Sequence, residues 1–138
     1  MSANPRVTTD CNYEVSGKQF GYLDVPSSRN DSAWGLVRLP ICVIRNAQGP
    51  TVLLTGGSHG DEYEGPLSLL KLARSLSPAD VRGRIIILPM LNYPAVLGGT
   101  RVSPIDGVNM NRAFPGRSDG TLSQLIAHYL TRVCLDSS

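Results

Sequence analysis

The residues able to do chemistry fall into two groups, and the first is the run Gly57-Ser58-His59-Gly60-Asp61-Glu62. His59 and Glu62 stand three positions apart across a glycine-rich turn, so an imidazole nitrogen and a carboxylate can converge on one cation. That donor pair suits zinc, which takes nitrogen and oxygen ligands at about 2.0–2.2 Å and in catalytic sites uses three protein ligands plus water. The same H-x-x-E spacing also occurs as a surface hydrogen-bonded pair, so its place in the fold decides between the two. Asp61 is either a partner that orients the His59 ring or a helix cap. The second group is Thr100-Arg101 with Asp106-Gly107-Val108-Asn109-Met110-Asn111-Arg112-Ala113-Phe114-Pro115. Two arginines and two side-chain amides can clamp a carboxylate, since a guanidinium offers a planar bidentate fork. The alternative is a solvated loop with turn-forming asparagines.

The first group follows Thr51-Val52-Leu53-Leu54-Thr55, a short apolar run that reads as a strand buried on both faces. Ligands gather at the carboxyl ends of such strands, where loops and helix amino termini converge. Leu67, Leu69, Leu70, Leu72, Ala73 and Leu76 then give a helical stripe, with Pro66 in its first turn and a stop near Ser77-Pro78. Arg84-Ile85-Ile86-Ile87-Leu88 is a second buried strand, which makes a βαβ unit with a right-handed crossover. Upstream, residues 1 to 18 read as a polar lead-in. Lys18 to Val25 reads as a strand ending at Pro26, 27 to 35 as a loop, and Leu36 to Arg45 as an extended segment that Pro40 confines to an edge or interrupts. Asn92 to Arg117 shows Pro/Gly punctuation and no period. A loop that long is functional or hides an element. Leu122, Leu125, Ile126, Tyr129 and Val133 predict a last helix, capped by Asp119 or Thr121.

Composition narrows the function classes. The chain has 138 residues, 41% of them hydrophobic and 17% charged, with a net charge of +2. That is enough apolar material for one folded domain and too little charge imbalance for disorder. The basic residues are scattered, so no nucleic-acid partner is expected. No apolar run approaches the roughly 18–20 residues of a membrane helix, and the polar start lacks a secretory signal's apolar core, so the cytoplasm is expected. Cys11, Cys42 and Cys134 lack C-x-x-C spacing and read as free thiols, Cys42 within a strand.

Taken in order, Gly57 to Gly65 (G-x-H-G-D-E-x-x-G), Asn92-x-Pro94, Thr100-Arg101 and Asn109-Met110-Asn111-Arg112 resemble the succinylglutamate desuccinylase/aspartoacylase family, relatives of the zinc carboxypeptidases. The resemblance runs from about Gly49 to the last residue. Gly57 to Pro66 looks most like the branch of N-acetyl-diaminobutyrate deacetylases of ectoine breakdown. The resemblance implies an α/β fold, a mixed and largely parallel sheet flanked by helices, with 1–48 as lead-in and strands and 49–138 as the front part of a zinc hydrolase catalytic domain. It implies Zn2+ held by His59 and Glu62, Arg101 polarising the scissile carbonyl, and Asn111 and Arg112 holding a substrate carboxylate. The implied reaction is amide hydrolysis of a small N-acyl amino acid.

The family pattern also requires a third zinc ligand, a histidine on a later strand, and a glutamate general base. Neither is identifiable. His128, the other histidine, reads as a solvent-face residue of the last helix, and Glu64 as a helix-start carboxylate. The expectation is therefore a catalytic domain incomplete at its carboxyl end, inactive or weakly active alone. Self-association through an exposed sheet edge is expected with it. A competing reading is a non-catalytic pseudoenzyme or carboxylate-binding module that keeps Arg101, Asn111 and Arg112. A nucleotide-binding βαβ unit ranks last, since G-x-G-x-x-G and G-K-[ST] are both missing.

Overall fold

A computed structural model describes residues 6–27 and 35–135. The loop expected at 27 to 35 lies, apart from its two ends, outside the described residues, as does the start of the lead-in. The strands are β1 (Thr8–Thr9), β2 (Gly17–Pro26), β3 (Leu36–Asn46), β4 (Thr51–Thr55) and β5 (Gly83–Leu88). The helices are α1 (Glu64–Ser75), α2 (Tyr93–Gly98) and α3 (Leu122–Tyr129), the last running on as a π-helical segment over Leu130–Leu135. Short 3-10 turns occupy Pro78–Asp80 and Met110–Arg112. Among the described residues no helix is long and apolar enough to cross a membrane.

The sheet is mixed, with order β1-β2-β3-β5-β4. Only the β4–β5 pair is parallel, in register Thr51↔Arg84 to Thr55↔Leu88, and α1 makes the crossover. The β1–β2, β2–β3 and β3–β5 pairs are antiparallel. Three of the four pairings are antiparallel, so parallel pairing is confined to the βαβ unit. Pro40 lies inside β3, opposite Tyr22. The strand tolerates it because pairing with β5 begins only at Cys42, so at Pro40 the strand has β2 alone as neighbour.

The two-residue period of β3 divides the core between the faces of the sheet. Leu39, Ile41 and Val43 join Leu23, Val25, Ile86 and Leu88 under α3 and Met110. Cys42 and Ile44 join Ile87 under α1, against Ala73, Leu69, Leu72 and Leu76. Each fully buried aliphatic side chain contributes about 1.5–3 kcal/mol. β5 is buried on both faces as its sequence predicts. β4 is not, and Val52 is exposed. An edge strand has one neighbour, so continuous apolar character does not secure burial on both sides. The expected stripe on α1 is likewise only partly covered, with Leu67 exposed.

The lead-in does more than its polarity suggests. Val7 and Cys11 are buried in the larger core cluster, and Tyr13 packs against it. The Tyr13 and Tyr129 hydroxyls are 2.7 Å apart. Burial pushes both phenols up, Tyr129 to about 12. Glu14 accepts from Arg45 and from Arg84, whose guanidinium also donates to the Tyr13 carbonyl. Of the apolar positions in β2, Leu23 is buried while Phe20 and Tyr22 are exposed. All three cysteines are free and buried, Cys42 within β3.

Candidate metal centre

The centre is built where β4 ends. Gly57 adopts a left-handed φ of 69°, which turns the chain sharply out of the strand. The segment after β5 then locks the turn, with Leu91 N–H donating to Gly56 O at 2.8 Å and Asn92 N–H to Gly57 O at 3.0 Å. A Cβ at Gly60 would run into the backbone carbonyl of Ala95 in α2. The absence of a side chain therefore lets the turn lie against α2. α2 itself begins with Pro94 in its first turn and ends at Gly99 with φ 63°. These two punctuation marks are helix start and stop signals, and they turn part of the expected irregular stretch into an element.

His59 closes this turn. Its side chain is 8% exposed, and Nδ1 faces Glu62 Oε2 at 3.5 Å. Two donors on one zinc at about 2.0–2.2 Å in tetrahedral geometry lie about 3.4 Å apart, so the pair already has the spacing a shared cation needs. Glu62 is 61% exposed, and its other oxygen meets an Arg101 guanidinium nitrogen at 3.8 Å. Arg101 is placed there because Thr100 N–H donates to Ala95 O at 3.0 Å. Solvent reaches Glu62 and Arg101 while the imidazole is held from within. That is the asymmetry a site open on one side requires.

The far side of the ring meets the second group. Asn109 Oδ1 lies 3.1 Å from His59 Nε2, and Asn111 Nδ2 lies 3.3 Å from the same nitrogen. Asn109 is the N-cap of the 3-10 turn, its oxygen accepting from Asn111 N–H at 3.1 Å. Met110, between them, is fully buried in the core and anchors the turn. Met110 turns into the core, and the asparagines on either side of it reach the His59 ring. Farther back, Asp106 accepts from Val108 N–H, Ser123 N–H and the Ser123 hydroxyl at 3.1, 2.8 and 3.0 Å, which ties this loop to the start of α3. Burial alone would raise the Asp106 carboxyl, and the hydrogen bonds outweigh it and hold it below the usual range.

His59, Glu62, Arg101 and Asn111 are therefore brought together. Arg112 stands exposed at the end of the 3-10 turn, next in chain to Asn111. Asp61 is exposed, and neither expected role falls to it: Asn109 meets the ring and Tyr63 is the N-cap of α1. Glu64 stands in the first turn of α1, as expected. His128 is half-buried rather than on a fully solvent face, because the backbone around it packs on Gly116. Thr121 caps α3, with its N–H donating to Gln124 Oε1 at 3.0 Å, while Asp119 pairs with Arg117. Among the described residues no group of three or more His, Cys, Asp or Glu side chains is assembled, so His59 and Glu62 stand as a pair.

Comparison with known proteins gives a consistent picture. The family model of the succinylglutamate desuccinylase/aspartoacylase catalytic domain matches residues 48–137. The chain is 49% identical over 132 residues to the N-alpha-acetyl-L-2,4-diaminobutyric acid deacetylase of Halomonas elongata, covering 96% of this chain and 39% of that protein. It is similar in structure to the product-bound ectoine utilization protein EutE (DoeB) from Ruegeria pomeroyi, with TM-score 0.92 and 50% identity over 97% of this chain and 41% of the other. It is also similar to a succinylglutamate desuccinylase/aspartoacylase from Rhodobacter sphaeroides, with TM-score 0.90 and 52% identity over 95% and 41% of the two chains. The chain spans about two fifths of the length of these relatives.

Proposed function

Since the chain belongs to the succinylglutamate desuccinylase/aspartoacylase family, we propose that it carries part of the site of a zinc-dependent hydrolase that cleaves the amide bond of a small N-acyl amino acid. The substrate class we assign is an N-acetylated diamino acid, on the likeness to the Halomonas elongata deacetylase. The observation that carries the reading is the buried His59 Nδ1 facing the open Glu62 carboxylate at 3.5 Å. A ring nitrogen and a carboxylate oxygen at that separation, with a guanidinium on the outer oxygen, have the spacing of two ligands on one cation.

His59 and Glu62 would hold the zinc, which when bound supplies Lewis acidity and a water of lowered pKa. Arg101 holds positive charge beside the scissile carbonyl, where a tetrahedral oxyanion develops. Asn111 and Arg112 hold the substrate carboxylate, converting affinity at a distance into orientation at the amide. His59 is shielded on its inner side and Glu62 is open, so substrate approaches from the Glu62 and Arg101 side.

Zinc titration of the chain, alongside His59→Ala and Glu62→Gln, tests the reading. Two protein donors give weak binding that dialysis removes, and each variant abolishes it. With zinc present, release of acetate from N-alpha-acetyl-2,4-diaminobutyrate is slow and metal-dependent. Equal zinc affinity in His59→Ala refutes the metal pair. Carboxylate binding that needs Arg112 and proceeds without zinc or turnover identifies a binding module instead.

A further inference from the structure

We infer that Arg45 and Arg84 form a binding site for the carboxylate of a small molecule, at the end of the sheet opposite the metal centre, with the Glu14 side chain as its resident occupant. β4 and β5 run parallel. His59 follows the end of β4, whereas Thr51, which opens β4, and Gly83-Arg84, which open β5, border a cavity of about 400 Å3. Arg45 near the end of β3, Gln48 and Glu14 complete its wall, so two guanidiniums face one carboxylate. Local geometry fixes the arginines. Gly83 has φ 101°, and a Cβ there would run into the Pro50 carbonyl, so glycine lets β5 start against the β3–β4 turn. Arg84 N–H then donates to Pro50 O at 2.9 Å, and the register Arg45↔Arg84 sets the two side chains next to each other across the β3–β5 pair.

The Glu14 carboxylate bridges them with one oxygen to each. Oε1 accepts from Arg84 Nη1 at 2.9 Å and Oε2 accepts from Arg45 Nη1. The two guanidiniums, Arg45 foremost, hold the Glu14 carboxyl below its usual range. Two cations spaced to take the two oxygens of one carboxylate recognise that group by shape as well as by charge. Two features mark Glu14 as an exchangeable occupant. Its side chain is 73% exposed while that of Arg84 is 9% exposed, so the carboxylate lies on the solvent side of a buried cation. Arg84 is also incompletely satisfied: Nη1 donates to Glu14 and to the Tyr13 carbonyl, and the buried Nε has no hydrogen-bond partner among the described residues. A buried donor left unpaired is costly, and in native structures such a group calls for a partner. Glu14 is tethered to a turn, where its own N–H donates to Asn12 Oδ1 at 2.9 Å, and it meets Arg84 at Nη1. An untethered carboxylate is free to approach the edge of the guanidinium that carries Nε.

The test titrates acetate, up to about 100 mM at constant ionic strength, into the full chain while 1H–15N NMR follows the arginine Nε–H signals and the Glu14 amide. Acetate shifts the Arg84 Nε–H and the Glu14 amide together and saturably, and does so equally in Arg112→Ala, which separates this site from the proposed substrate clamp. Glu14→Gln removes the resident carboxylate and raises acetate affinity about 2–5-fold. Arg45→Gln lowers it about 10–100-fold, and Arg45→Lys, which keeps the charge without the fork, falls between that variant and the wild type. Melting temperatures recorded alongside separate loss of binding from loss of fold. An Arg84 signal unmoved by acetate in both wild type and Glu14→Gln, or a Glu14→Gln affinity no higher than wild type, makes the trio a structural ion-pair network and overturns the inference. Wild-type affinity in Arg45→Lys, or an equal shift with chloride in place of acetate, overturns it as well.

Discussion

Removing the Asp106 carboxylate should cost the chain a measurable part of its stability, by an amount that depends on pH. This half-buried group accepts from Ser123 N–H at 2.8 Å, the Ser123 hydroxyl at 3.0 Å and Val108 N–H at 3.1 Å, and the Thr121 side chain also holds it. Hydrogen bonds to charged acceptors are worth about 1.5–3 kcal/mol each. Water re-solvates part of what is lost at an incompletely buried site, so Asp106→Ala is expected to cost about 2–4 kcal/mol in all. With a urea m-value of about 2 kcal/mol/M the midpoint falls by about 1–2 M. The folded carboxyl is held below the unfolded value of about 3.9. A depressed acid contributes stability that is fully present above the unfolded pKa and is lost as pH falls through the folded one. The gap between wild type and Asp106→Ala should therefore be constant from neutral pH down to about 5 and narrow below about 4. Paired urea melts at pH 7 and pH 3 measure it. A midpoint shift under about 0.3 M at pH 7, or a gap of equal size at both pH values, would refute the assignment of Asp106 as an ionised latch.

Two further outcomes are expected. Gly60→Ala forces a Cβ into the Ala95 carbonyl, so α2 or the turn must move; zinc binding should be lost and the melting temperature lowered, whereas a variant that keeps both would show the close approach to be slack. β4 is hydrogen-bonded on one side by β5, and among the described residues it has no second neighbour. Sedimentation should show concentration-dependent self-association that Val52→Lys suppresses, and a monomer at every concentration would count against this edge as the contact.

The parts of the fold legible in the sequence are those where local pattern and tertiary role agree. β5 is continuous and apolar because it is covered on both faces, and α1 and α3 show helical spacing because each packs one side on the sheet. β4 has the same local pattern as β5 and a different fate, since position at the edge of a sheet is not written in a strand's own residues. β1 and the buried lead-in were hidden because Val7, Cys11 and Tyr13 are isolated apolar positions in a polar context, each placed by partners far along the chain. In the centre, type and spacing marked His59 with Glu62 and Arg101 with Asn111 as two separate groups, and only the family resemblance joined them. The contact of Asn109 with His59 was not readable, because it joins residues 50 positions apart that no local spacing links.

The hydroxyl pair of Tyr13 and Tyr129 joins residues 116 positions apart, and it divides the molecule by order of assembly. The face under α1 draws its buried residues from Cys42 to Ile87, a stretch that can collapse as soon as it is made. The face under α3 needs Val7, Cys11 and Tyr13 to meet Ile126, Tyr129 and Leu130, and the entropy of closing so long a loop must be met before any of those contacts forms. During synthesis the first half of the core can therefore be in place while the second still waits for its last helix to clear the ribosome. Met110 and the turn that it anchors belong to that second half, so the support of His59 is completed late, after the βαβ unit that presents the histidine.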